Sequence, residues 1–216
     1  MIISVSGLIG SGKDTIADYL VAEHNFRRES FAGALKDAVA AIFSWDRELL
    51  EGKTPEGRHW REKVDQWWSE RLGIPDLTPR RVLQNWGTEV CRKGFHNDIW
   101  IASLENKLRK TTENIVISDA RFPNELRMVH GLDGFTVKVE RGANPEWYKD
   151  AMVVNSAGDM SGAPVHVRQA FIQLANCKIH ASEYAWVGYP FDVTVNNNGT
   201  VDDLYREIDA KINPLL

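Results

Sequence analysis

The chain begins MIISVSGLIGSGKDT, and this stretch limits the fold more than any other. Ile2, Ile3 and Val5 are β-branched, with small Ser4 and Ser6 between them, which suits a short strand buried on both faces. Beyond the glycines, Ile16, Ala17, Tyr19, Leu20 and Val21 recur at helical spacing, so the loop joins a strand to a helix. Glycines let such a loop turn sharply and bring backbone N–H groups close to an anion. The helix N-terminus adds unpaired donors and positive partial charge, and Lys13 adds a full charge. Gly7, Gly12 and Lys13 meet the pattern G-x-x-x-x-G-K, a phosphate cradle. The next slot normally carries a metal-binding hydroxyl. Here it holds Asp14, with Thr15 one place later. The competing reading is a turn of structural use only, but strand, loop, lysine and helix all agree on a cradle.

With 216 residues, 43% of them hydrophobic, the chain is long enough for one sizeable core, with room for a small insertion. A net charge of −4 and a pI near 5.9 give no reason to expect nucleic-acid polymers or anionic membranes as partners. No apolar run approaches a membrane span, and the N-terminus enters a strand without a signal-peptide pattern. Cys91 and Cys177 make no disulfide framework and fit a reducing cytoplasm. Cys177 with His180 supplies too few ligands for zinc. Trp45, Trp60, Trp67, Trp68, Trp86 and Trp100 fall in one central stretch. They read mainly as packing residues, with one or two available to stack on a flat base.

The pattern predicts helices over Lys13–His24, Phe31–Phe43, His59–Arg71 and Ile99–Leu108. Another starts at Thr78 as N-cap with Pro79 in its first turn, burying Val82, Leu83, Trp86 and Val90. The polar run EGKTPEGR reads as a break. Further strands are Ile115–Ile117, FTVKVE and FDVTV. Pro123 opens a short helix, and VDDLYREIDAKI is a closing amphipathic helix after the turn NNNGT. Residues 142–190 read as irregular. Strands alternating with helices imply an α/β fold, a parallel sheet flanked by helices. Ligands of such sheets sit beyond the carboxyl ends of the strands. The glycine loop, Asp119 and NNNGT all follow strand ends and so share one rim.

Asp119, at a strand end facing the loop, could hold magnesium directly or through water. Arg121 offers a forked cation for a second phosphate; the alternative is an Asp–Arg pair bracing the turn before Pro123. Glu125 reads as a helix-start or arginine-orienting residue. Lys36 is either solvated surface or a phosphate ligand. Arg80 and Arg81 open a helix where cations are mildly disfavoured, a weak sign of anion binding. Gln84 and Thr88 share a helix face and could read a base edge. The 142–190 segment, with Arg141 just before it, carries His166, Arg168, Lys178, His180, Ser182 and Glu183. A long irregular stretch in a compact domain is commonly a lid or binding loop, and a lid would exclude water from a transfer reaction.

GLIGSGKDT, FAGALKDA, LQNWGTE, HNDIW, SDARFPNE, HASE and NNNGT, in this order along nearly the whole chain, resemble the bacteriophage deoxynucleoside monophosphate kinases, a branch of the P-loop nucleoside monophosphate kinases. Ala120 stands where that pattern often has Val. The resemblance implies a three-layer P-loop kinase fold with a lid segment. The activity it implies is transfer of the γ-phosphoryl of ATP to a deoxynucleoside monophosphate, with Mg2+, in deoxynucleotide biosynthesis. The location would be the cytoplasm, the host's if the protein is viral. The single domain would carry a helical acceptor-binding region at about 31–110 and the lid at about 142–190, and the chain could pair as a homodimer. The loop Gly7–Thr15, with Gly10, Ser11, Gly12, Lys13, Asp14 and Thr15, would hold ATP, and Lys13 would bridge its β- and γ-phosphates. Asn197 to Thr200, including Gly199, would lie near adenine. Lys36, Arg81, Gln84 and Thr88 would serve the dNMP. Asp119 and Arg121 would lie between the sites, with Asp14, Thr15 and Asp119 toward the metal. Lys13, Arg121 and a lid arginine, Arg141 or Arg168, would form the charge clamp, with Asp119 the remaining catalytic residue. A related small-molecule kinase, such as a dephospho-coenzyme A kinase, or a non-catalytic ATP-binding switch protein shares the loop and remains the alternative.

Overall fold

The computed structural model describes residues 1–158 and 160–215, which divide into two compact units. The first comprises residues 1–30 and, among those described, 111–158 and 160–215. It holds strands β1 (Ile2–Gly7), β2 (Phe26–Glu29), β3 (Asn114–Ile117), β4 (Phe135–Glu140) and β5 (Val193–Asn196). They form one sheet in the order β2-β3-β1-β4-β5, with every pairing parallel. β1 is therefore central, and its residues 2–6 are buried. Helices α1 (Lys13–His24) and α12 (Val201–Lys211) pack Ile16, Leu20, Leu204 and Ile208 into one core with Ile3, Val5, Val116, Val137 and Val195. The period of two in Ile3/Val5 and Val137/Val139 selects one sheet face. α8 (Pro123–Gly131) packs against β1 and β4, burying Leu126 and Val129 completely. The result is the expected α/β sheet flanked by helices.

β2 escapes a pattern-based reading because FRRE has one apolar residue. It is an edge strand, buried only at Phe26, and its arginines are ion-paired. The 142–190 segment is a correction. It contains α9 (Tyr148–Ala157), α10 (Val165–Asn176) and α11 (Ala181–Tyr184). The residues that suggested irregularity sit at helix boundaries. Gly158 follows α9 at φ 66, Pro164 precedes α10, and the His180 ring accepts from Ser182 N at the start of α11.

The second unit is residues 31–110 and is all helical. It contains α2 (Gly33–Phe43), α3 (Arg47–Glu51), α4 (Pro55–Glu62), α5 (Gln66–Leu72), α6 (Pro79–Gln84) and α7 (Ile99–Leu108). The predicted His59–Arg71 helix is two helices. Thr54 caps α4 by accepting from Gly57 N, with Pro55 in the first turn, so EGKTPEGR starts a helix as well as breaking one. Asp65 caps α5, accepting from Trp68 N at 3.1 Å, and its other oxygen takes the Trp45 indole N–H at 2.8 Å. After α6 the chain widens into a π-helix, Asn85–Lys93. Its wider turn rotates Val90 away from the core, leaving it 49% exposed. Most tryptophans do pack: Trp45 is buried, and Trp60, Trp68, Trp86 and Trp100 border the core around Val39, Phe43 and Leu50. Trp67 is 62% exposed. Among the described residues no helix is long and apolar enough to cross a membrane.

Leu20 is fully buried between α1 and the sheet. Leu20→Ala should cost about 2–5 kcal/mol, the usual range for emptying such a site. Urea unfolding monitored by circular dichroism should show the lower midpoint.

Candidate active site

The rim at the carboxyl ends of the strands is built in the first unit. β1 ends at Gly7, whose backbone has no room for a Cβ: one would stand 2.6 Å from Val139 O. Ser11 N donates to Leu8 O at 3.1 Å, closing the turn. Gly12 then precedes α1 in the left-handed region at φ 101 and caps the helix without any side-chain bond. The first-turn N–H groups of α1 are thus left for an anion. Lys13 Nζ donates to Gly7 O at 2.9 Å and Leu8 O at 2.7 Å, so its own loop holds the ammonium over the cradle. Burial, and then the charge of nearby Arg121, push the Lys13 pKa below its ordinary value; Asp14 and Glu183 oppose them.

Arg121 stands beyond β3 because Glu125 fixes the turn. The buried Glu125 carboxylate accepts from Arg121 N at 2.7 Å and Phe122 N at 3.1 Å. That confirms the helix-start role read from the sequence. The Arg121 guanidinium donates to Glu183 of α11 at 2.6 Å. Glu183 is the partner that sequence reasoning missed; it lies in the HASE block but carries no local signal of its target. Asp119 accepts from Ser30 Oγ at 2.7 Å. Arg141 reaches Gly10 O at 3.4 Å, whereas Arg168 lies exposed on α10.

Asp14 is exposed and ion-paired with Arg28 of β2, and it accepts from Ser118 Oγ at 3.1 Å. Arg28 also donates to Asp18 at 2.9 Å. Arg28 was missed because its strand was missed. The turn after β5 is tightly fastened. Asn197 Nδ2 donates to Ser11 O at 2.8 Å, and Asn198 Oδ1 accepts from Gly142 N at 2.6 Å. Thr200 and Asp203 cap α12 reciprocally. Gly199 sits against that cap, where a Cβ would stand 2.6 Å from Asp203 Oδ2.

Asp14, Thr15 and Asp119 offer hard oxygen donors on the rim, the chemistry Mg2+ prefers. That ion keeps several waters and takes few protein ligands, the rest coming from substrate phosphates. It therefore needs no cluster of three protein ligands, and none exists among the described residues. The donor set fits.

The acceptor-side candidates lie in the second unit. Lys36 is not solvated surface: its ammonium donates to Glu51 at 2.7 Å and its side chain is 12% exposed. Arg47 takes the other Glu51 oxygen at 2.7 Å. Arg81 donates to Pro75 O at 2.6 Å. Arg80 pairs with Glu62. Gln84 ends α6, and Thr88 lies in the π-helix. The Trp100 indole N–H donates to Gly87 O at 2.9 Å and ties that π-helix to α7. π-Helical segments are uncommon and concentrate at functional sites.

A protein of Acanthamoeba polyphaga mimivirus named for deoxynucleotide monophosphate kinase activity is 32% identical over 155 residues, covering 65% of this chain and 74% of the viral protein. The chain belongs to the deoxynucleoside monophosphate kinase family. A deoxynucleoside-5'-monophosphate kinase of Escherichia phage T5 is 26% identical over 191 residues, covering 62% of this kinase and 74% of the phage protein. No family model matches the chain. Shikimate kinase from Aquifex aeolicus aligns with 100% of this chain and 96% of its own at 13% identity. Its TM-score of 0.44 adds nothing to the topology described above.

Two outcomes are expected of these residues. Burial alone would raise the Glu51 carboxyl, but its bonds to Lys36 and Arg47 prevail and hold it at about 2, below its ordinary 4.5. A depressed carboxylate stabilises the fold above its unfolded pKa, and that contribution fades as pH falls from about 4.5 toward 2. Glu51→Gln should therefore lower stability at neutral pH by up to roughly 3 kcal/mol. Thermal melts across pH should show the gap from the parent closing in acid. Lys13→Ala should leave the melting curve nearly unchanged and lower turnover by about 100-fold or more, since its charge meets charge developing in transfer. Steady-state kinetics beside a melt separates the two effects.

Proposed function

We propose that this enzyme transfers the γ-phosphoryl group of ATP to the phosphate of a deoxynucleoside monophosphate, giving ADP and a dNDP. The observation that carries this reading is the pairing of kinship with geometry. A relative named for the activity matches at 32% identity, Lys13 is held on the glycine loop by Gly7 O and Leu8 O, and Glu125 fixes the turn that carries Arg121 after β3. A non-hydrolytic binder has less use for a second cation at that point.

An oxygen of the acceptor phosphate attacks the γ-phosphorus as the bond to the β–γ bridging oxygen breaks. The electron pair leaves with ADP. The acceptor is already an anion, so no strong general base is required, and catalysis consists mainly of positioning and charge neutralisation. The loop from Gly7 to Thr15 holds the ATP phosphates through N–H groups and Lys13. Arg121, kept ready by Glu125 and Glu183, spans donor and acceptor phosphates with its fork. Arg141, beside the loop at Gly10, completes the clamp. Asp14, Thr15 and Asp119 would hold Mg2+, which supplies neutralisation of phosphate charge. Lys36, Arg81, Gln84 and Thr88 serve the dNMP. Residues 142–190 act as the lid, and Glu183 gives that segment a direct link to Arg121.

The test is ADP release, by a coupled assay with Mg2+ and ATP, across the common ribo- and deoxyribonucleoside monophosphates and dephospho-coenzyme A. Release should depend on at least one dNMP and exceed that with the matching ribonucleotide. Release with dephospho-coenzyme A alone, or none beyond slow ATP hydrolysis, would overturn the reading.

A further inference from the structure

The family resemblance places NNNGT near adenine, yet the Asn197 side chain points elsewhere. Asn197 is 7% exposed. Its backbone N–H donates to Glu140 O at the end of β4 at 2.8 Å, and its amide Nδ2 donates to Ser11 O at 2.8 Å. A Cβ at Gly12 would collide with that same Nδ2. The asparagine is therefore anchored to the sheet at one end and pressed against the Ser11–Gly12 peptide at the other.

We propose that Asn197 is a positioning residue that locks this peptide in its anion-binding orientation. A trans peptide is planar, and its C=O and N–H point to opposite sides. With the Ser11 carbonyl held outward by Asn197, the Gly12 N–H faces away from Asn197, toward the loop that Lys13 covers. Rotating the peptide by half a turn would direct a carbonyl oxygen at the bound phosphates and lose a donor. Glycine at 12 makes such a flip easy, because no Cβ restricts the rotation. The residue that permits the tight approach thus also creates the need for a lock. A buried amide donor supplies it, whereas an aspartate of the same size would turn a carboxylate on the carbonyl.

The proposal rests on the loop being the phosphate site, and the experiment separates the two. Binding of inorganic tripolyphosphate and of adenosine is measured by calorimetry on the parent, Asn197→Ala and Asn197→Asp, with a thermal melt of each. The parent should bind tripolyphosphate. The folded variants should bind it at least about tenfold more weakly, the loss expected when one hydrogen bond to a charged group goes, with Asp worse than Ala and adenosine affinity kept. If the parent binds no tripolyphosphate, the phosphate reading fails. Should the parent bind and a folded variant bind equally, or lose adenosine instead, the lock is wrong and Asn197 belongs to the base. Where neither variant folds, the Gly12 amide resonance of the parent decides: it must shift downfield as tripolyphosphate is added, and an unmoved resonance overturns the proposal.

Discussion

Everything at this site hangs from the central position of β1. It is hydrogen-bonded in parallel to β3 on one side and to β4 on the other, and buried along residues 2–6. A strand so enclosed cannot slide without flipping every side chain to the wrong face. Its carboxyl end is therefore a fixed point. The glycine loop leaves from that point, with Ser118–Arg121 after β3 and Arg141 after β4 alongside. Parallel strands bring all their carboxyl ends to one edge, so groups far apart in sequence meet without any local signal that they should.

The charges at that edge are arranged so that unlike partners hold like groups close. Burial, and then repulsion from Arg121, lower the Lys13 pKa, while Asp14 and Glu183 oppose the shift. Glu183 on Arg121, loop carbonyls on Lys13 and Arg28 on Asp14 keep each group placed. The second unit shows the same logic around Glu51, whose two cations outweigh its desolvation. Arg121 and Lys36 are thus each held in place by a carboxylate of their own unit.

The asparagine run after β5 adds a mechanical element. Asn197 ties this turn to the phosphate loop, and Asn198 ties it to the turn after β4. Three rim segments become one braced unit, in a region where isolated loops would otherwise be mobile.

The sequence by itself determined the elements whose signals are local. Lys13–His24 and Ile99–Leu108 follow from apolar periodicity, the Thr78–Pro79 start from capping chemistry, and the phosphate loop from glycines between a β-branched strand and a helix. The common rim followed from strand–helix alternation alone. Tertiary structure decided the rest. FRRE is a strand only because β3 pairs with it and acids neutralise its arginines. The π-helix at Asn85–Lys93 carried no local signal; within it Gly87 lies against Leu35 and accepts the bond from Trp100. The helices within 142–190 were hidden because glycine and proline mark helix ends as readily as loops. The partners of Arg121, Asp14, Lys36 and Asn197 could not be read either: a hydrogen bond between residues 11 and 197 has no periodicity in sequence, and only the folded sheet brings its ends within reach.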